Sequence, residues 1–137
     1  MEKLIEQIKE HEGFRKKPYL CTEGHLTVGY GFRLDYLELS ETVADLILRE
    51  KIGILHNRLC ERFDWFLPLP ETIQDCIMNQ AYQMGVNSVS KFKKMIKHLK
   101  AENWKEASKE MLDSKWARQT PNRAKELAKI VENYGQP

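Results

Sequence analysis

The segment ETIQDCIMNQAYQM, Glu71–Met84, limits the possible folds of this chain more than any other. It follows FDWFLPLP, whose two prolines break the chain, and it ends at Gly85, where a helix would stop. Between those marks apolar side chains go nearly all the way round a helix. A helix of that kind has to be surrounded by other elements, so it reads as the central helix of a helical lobe. Residues 89–99, 104–112 and 122–131 supply three more helices. The last is announced by Thr120 as N-cap and Pro121 at the first helical position.

The first half follows another pattern. Leu4, Ile5 and Ile8 recur at helical spacing, with Gly13 placed to end that helix. Over residues 18–34 alternation replaces the helical period: Thr22, Glu23 and Gly24 separate short runs, and Gly29 and Gly31 interrupt the second. That is a small hairpin or β-meander. Ser40 then caps a long helix with Ala44, Leu48, Ile52, Leu55 and Leu59 on one face. A chain of 137 residues, 42% of them hydrophobic, can bury one sizeable core or two small lobes sharing a helix. The expected fold is α+β, a single domain over 1–137. A small lobe with the hairpin, about 13–60, is joined by the long helix to a mainly helical lobe, about 61–137, on which the first helix, 1–12, packs.

The net charge of +2 is unevenly spread, with 10 Lys and Arg against 12 Asp and Glu up to Pro70 and 12 against 8 beyond it, a mild preference of the second half for anionic partners. Three widely spaced cysteines, Cys21, Cys60 and Cys76, do not make a disulfide framework and point to synthesis in a reducing compartment. No segment approaches the roughly 20 apolar residues that span a bilayer. The opening MEKLIEQIKEHEG carries charges where a signal peptide needs an unbroken apolar run, so neither a signal peptide nor stable membrane insertion is expected.

The chemistry gathers in HEGFRKKPYLCTEGHLTVGYG, from His11 to Gly31. Glu12 closes a helix beside a glycine and close to Phe14, where partial desolvation would keep its carboxyl protonated as a general acid. The alternative is an ordinary solvated glutamate. Thr27 is equally at home as a β-branched strand residue. In order along the chain, EG at 12 and 13, TVGYG at 27 to 31, AYQMG at 81 to 85 and SKWARQTPNRAK at 114 to 125 closely resemble the T-even phage lysozymes, the endolysin family that cleaves bacterial peptidoglycan. The resemblance runs over nearly the whole chain. This chain departs from it in being shorter between the glycine-rich turn and the central helix. Phe32 also stands where His is usual, and Cys21 where the family has a catalytic Asp.

The resemblance implies a lysozyme-like fold and a muramidase that hydrolyses the β-1,4 bond between N-acetylmuramic acid and N-acetylglucosamine. Glu12 would be the general acid and Thr27 would hold the attacking water. Cys21 could act as a thiolate assisting water, as a nucleophile forming a glycosyl-sulfur intermediate, or as a bystander; Lys16, Lys17 and His25 would favour its thiolate. Gly29 and Gly31 would let the hairpin backbone lie close to a sugar ring. Substrate binding falls to Gly31, Phe32, Gln83, Thr120, Asn122 and Arg123, with the arginine reaching the catalytic glutamate. Tyr82 could line the cleft or pack in the core, and Trp116 reads as core. The partner implied is peptidoglycan. The enzyme would be made in the host cytoplasm and reach the periplasmic wall after a holin-type protein permeabilises the membrane. It would act as a monomer. The other reading is a non-enzymatic lysozyme-fold module that binds peptidoglycan or a protein.

Two further constellations invite a metal or a polyanion reading. Cys21 with His25 and His11, or His56 with Cys60 four residues on, have metal-like spacing, but neither offers four convincing ligands, so no metal or cofactor is expected. The run KFKKMIKHLK, from Lys91 to Lys100, reads as the solvated face of a helix, suited to an anionic envelope rather than to nucleic acid.

Overall fold

The computed structural model describes residues 1–136, in two compact units: Met1–Asp45, and Leu46 onward. In the first unit, helix α1 (Glu2–Glu12) stops at Gly13, whose φ of +70° is open to glycine and whose N–H donates to the Lys9 carbonyl at 2.8 Å. Strands β1 (Arg15–Leu20), β2 (Leu26–Gly29) and β3 (Phe32–Arg33) make an antiparallel meander in the order β1-β2-β3. The register puts Tyr19 opposite Thr27 and Thr27 opposite Arg33. Between Arg15 and Tyr19 the pairing is irregular, at the point where Pro18 has no N–H to give the ladder. Tyr30 packs against Phe14 at 5.5 Å and Phe32 at 6.4 Å, with the Lys9 ammonium 5.6 Å from its ring, which ties the end of α1 to the β2–β3 turn.

Helix α2 (Glu41–Arg62) opens where expected: Ser40 Oγ accepts the Val43 N–H at 3.1 Å. It carries the chain from the first unit into the second. Ile52, Leu55 and Leu59 pack on the core of the second unit, while Ala44 and Leu48 stay exposed, so the face that is used is shorter than the periodicity suggests.

The second unit holds α3 (Glu71–Met84), α4 (Val86–Val89), α5 (Lys93–Lys100), α6 (Trp104–Leu112), α7 (Lys115–Gln119) and α8 (Pro121–Glu132). Every buried apolar residue among those described lies between Leu59 and Val131. Helix α3 runs through this core against α4 and α8, and α6 packs on α5, α7 and α8. It buries Ile73, Cys76, Ile77, Met78, Gln80 and Ala81, but it is not apolar all round. Asp75, Asn79 and Tyr82, at helical spacing, form an exposed stripe along it.

The helix expected over 89–99 is two helices, because Phe92 leaves the helical path at ψ 60° and its ring meets Trp116 edge-on at 6.5 Å. Helix α7 was not anticipated; Ser114 caps it, its Oγ accepting the Ala117 N–H at 3.1 Å. Thr120 stands at the N-cap of α8, with Pro121 first in the helix, yet it does not cap it. Its hydroxyl turns back and donates to the Trp116 carbonyl at 3.0 Å, closing α7 instead. No helix among the described residues is long and apolar enough to cross a membrane.

Candidate active site

Glu12 is the last residue of α1, and its side chain lies over Gly31. A Cβ built on Gly31 would overlap Glu12 Oε2 and come within 2.9 Å of Glu12 Cδ. A Cβ on Gly29 would come within 2.7 Å of the Phe32 ring. The two glycines therefore make room for protein side chains, the Glu12 carboxyl at Gly31 and the Phe32 ring at Gly29. Phe14, expected to desolvate Glu12, stacks on Tyr30 instead, and Glu12 is exposed.

Cys21 starts the tight turn between β1 and β2. Its N–H donates to the His25 carbonyl at 2.9 Å and its carbonyl accepts the Gly24 N–H at 2.9 Å. The thiol lies below its ordinary pKa. The largest cause is the backbone N–H of His25, followed by that of Glu23; partial burial and the Glu23 carboxylate oppose it. The lysines expected to favour the thiolate, Lys16 and Lys17, are not among these causes; local backbone amides do most of it, because the turn folds around the sulfur. Thr27 is 4% exposed, flanked on the sheet by Tyr19 and Arg33, and its hydroxyl donates to the same His25 carbonyl at 3.0 Å. Cys21 and Thr27 thus meet at one peptide group.

The His25 ring is held from outside the turn. Arg33 Nη2 lies 3.1 Å from His25 Nδ1, so that nitrogen faces the guanidinium. The same guanidinium grips Asp35 through Nε–Oδ1 at 3.3 Å and Nη2–Oδ2 at 2.8 Å and lies 4.4 Å over the Tyr36 ring. The hydrogen bond from Arg33 holds the Asp35 carboxyl below its ordinary value. Sequence reasoning missed this trio. The visible signal was an Arg at the position that a two-residue turn pairs with Thr27.

In the second unit, Arg123 is engaged by Asn79: Nε donates to Oδ1 at 2.8 Å and Nη2 to the carbonyl at 3.2 Å. These two, with Leu48, Ile52, Asp75, Met78 and Tyr82, line a cavity of about 350 Å³. Tyr82, 48% exposed, also borders a second cavity of about 520 Å³ beside Lys51 and Arg58, so its ring lines cavities rather than the core. Trp116 is 5% exposed, and its indole N–H donates to Gln83 Oε1 at 2.8 Å. Gln83 therefore has a structural bond to the core tryptophan. Asn122 is exposed at the first turn of α8. Away from these groups, Cys60 Sγ faces His56 Nδ1 at 3.7 Å on α2, and all three cysteines are free.

Residues 9–132 match the family model described as phage lysozyme. Probable T4-type lysozyme 1 of Dictyostelium discoideum is 31% identical over 94% of this chain and 93% of its own length. An endolysin of Acyrthosiphon pisum secondary endosymbiont phage 1 is 28% identical over 88% of this chain and 82% of its own. The pre-baseplate central spike protein Gp5 of Enterobacteria phage T4 is 28% identical over 96% of this chain, which spans 29% of that protein.

Proposed function

The chain belongs to the phage lysozyme family and is a glycoside hydrolase, and from that premise we propose that it hydrolyses the β-1,4 bond between N-acetylmuramic acid and N-acetylglucosamine in peptidoglycan. Glu12 is the general acid: it gives its proton to the glycosidic oxygen as the C1–O bond breaks. A water accepted by Thr27 adds to C1, and the Cys21 thiolate takes its proton. Arg123, Gln83, Thr120, Asn122 and Tyr82 hold the saccharide, and Gly31 and Phe32 border the reacting ring.

The observation that carries this reading is the convergence of Cys21 and Thr27 on the His25 carbonyl within a turn whose amides favour a thiolate. The test is Glu12→Gln assayed on purified peptidoglycan, with mass analysis of the released muropeptides. Gln cannot give up a proton, so turnover is lost while wall binding and fold persist. Wall clearing within a few-fold of wild type would sink the assignment.

A further inference from the structure

We infer that Arg33 is a positioning residue that holds the Cys21 thiol and the Thr27 hydroxyl in place by fixing the His25 ring, a role that rests on the reading of Cys21 and Thr27 given above. His25 is the hub of this half of the site. Its carbonyl accepts the Cys21 N–H at 2.9 Å and the Thr27 hydroxyl at 3.0 Å. Its own N–H is the foremost group favouring the thiolate. All three interactions depend on the orientation of residue 25 in a connecting turn, and turns of this kind are the mobile parts of a fold.

The Arg33–His25 bond at 3.1 Å brings an anchor to that turn from β3. The anchor is itself fixed. A guanidinium presents several donors in one rigid plane, so Arg33 can grip both oxygens of Asp35, lie on Tyr36 and still reach His25. Because Arg33 only donates, His25 Nδ1 must be the accepting nitrogen, which puts the ring proton on Nε2. Arg33 is also the cross-strand neighbour of Thr27, which places the anchor beside the hydroxyl's own strand. The charges around the sulfur are Glu23, which opposes a thiolate, and Arg33, which favours one and is largely paired with Asp35.

A lysine could supply the charge but not the fork. That difference separates positioning from simple electrostatics. The measurement is the pH profile of iodoacetamide alkylation of Cys21 in the full chain, resolved by peptide mass analysis, with the urea-denatured chain as reference. Arg33→Met and Arg33→Lys should both alkylate Cys21 several-fold more slowly at neutral pH, with the midpoint displaced upward but short of the denatured profile. His25→Ala should give the same displacement, and the double variant no more. A wild-type midpoint in Arg33→Met overturns the inference. So does full rescue by Lys, or coincidence of the Met profile with that of the denatured chain. Wall clearing measured alongside keeps the two readings apart: an active Cys21→Ala defeats the catalytic role of the thiol, whereas the alkylation profiles alone decide the role of Arg33.

Discussion

Replacing Gly31 by Ala separates two costs that the structure allows to be worked out. The first is conformational: an L side chain at φ +76° costs about 1–2 kcal/mol. The second is a collision with Glu12. The new Cβ overlaps Oε2 and stands 2.9 Å from Cδ, so the carboxyl must retreat by at least about half an ångström to reach ordinary contact near 3.4 Å, and Oε2 by more. A displacement approaching 1 Å in a reacting group costs roughly 10² in rate. Gly24→Ala is the control, since Gly24 has φ +81° but nothing within 4 Å of where its Cβ would lie. Both variants should lose similar stability in thermal unfolding, and Gly31→Ala alone should lose about 10² in turbidity-clearing rate on purified peptidoglycan. Equal clearing by the two would refute the argument that Gly31 is there to seat the general acid.

Cys21→Ala should lower clearing by about 10² and Cys21→Asp should retain it, and an Ala variant as active as wild type makes the thiol a bystander. Because the Cys21 pKa is lowered in the folded state, thiolate stabilisation of the turn is present above the unfolded value and lost as pH falls through the folded one. Alkylation should accordingly reach Cys21 well before Cys76, whose thiol burial pushes up to about 11; simultaneous modification of the two in the native protein would contradict this. Gln80 is 0% exposed, and neither its Oε1 nor its Nε2 has a hydrogen-bond partner among the described residues. Burying an unpaired amide costs about 1–3 kcal/mol, so Gln80→Met, of similar shape, should stabilise by about that amount and raise Tm by roughly 3–4 °C per kcal/mol. A lower Tm would show that the amide is paired in the folded protein.

Sequence by itself determined the elements whose causes are local. Gly13 and Gly85 end helices, Ser40 caps α2, Pro121 opens α8, and the apolar spacing of 71–84 demands a helical core around it. The residue types of the site were legible too, since EG, TVGYG and SKWARQTPNRAK are contiguous runs. What sequence misjudged were choices between local and distant partners. Thr120 could cap α8 or close α7, and it closes α7 because the Trp116 carbonyl lies within reach. Phe92 could continue a helix or meet Trp116, and leaving the helix sets its ring edge-on to the indole. The lowering of the Cys21 pKa looked like a matter for nearby lysines but depends on backbone amides, which carry no sequence signature. Gly31 read as an opening toward substrate, and only the arrival of α1, whose last residue lies nineteen positions upstream, shows that its missing Cβ is also the space taken by Glu12. Arg33 belongs to the same class, because a strand register and a turn must both form before its guanidinium can meet His25. Spacing along the chain sets what one element can do alone, whereas a hydrogen-bond partner or an excluded Cβ is set by whatever the rest of the fold brings alongside.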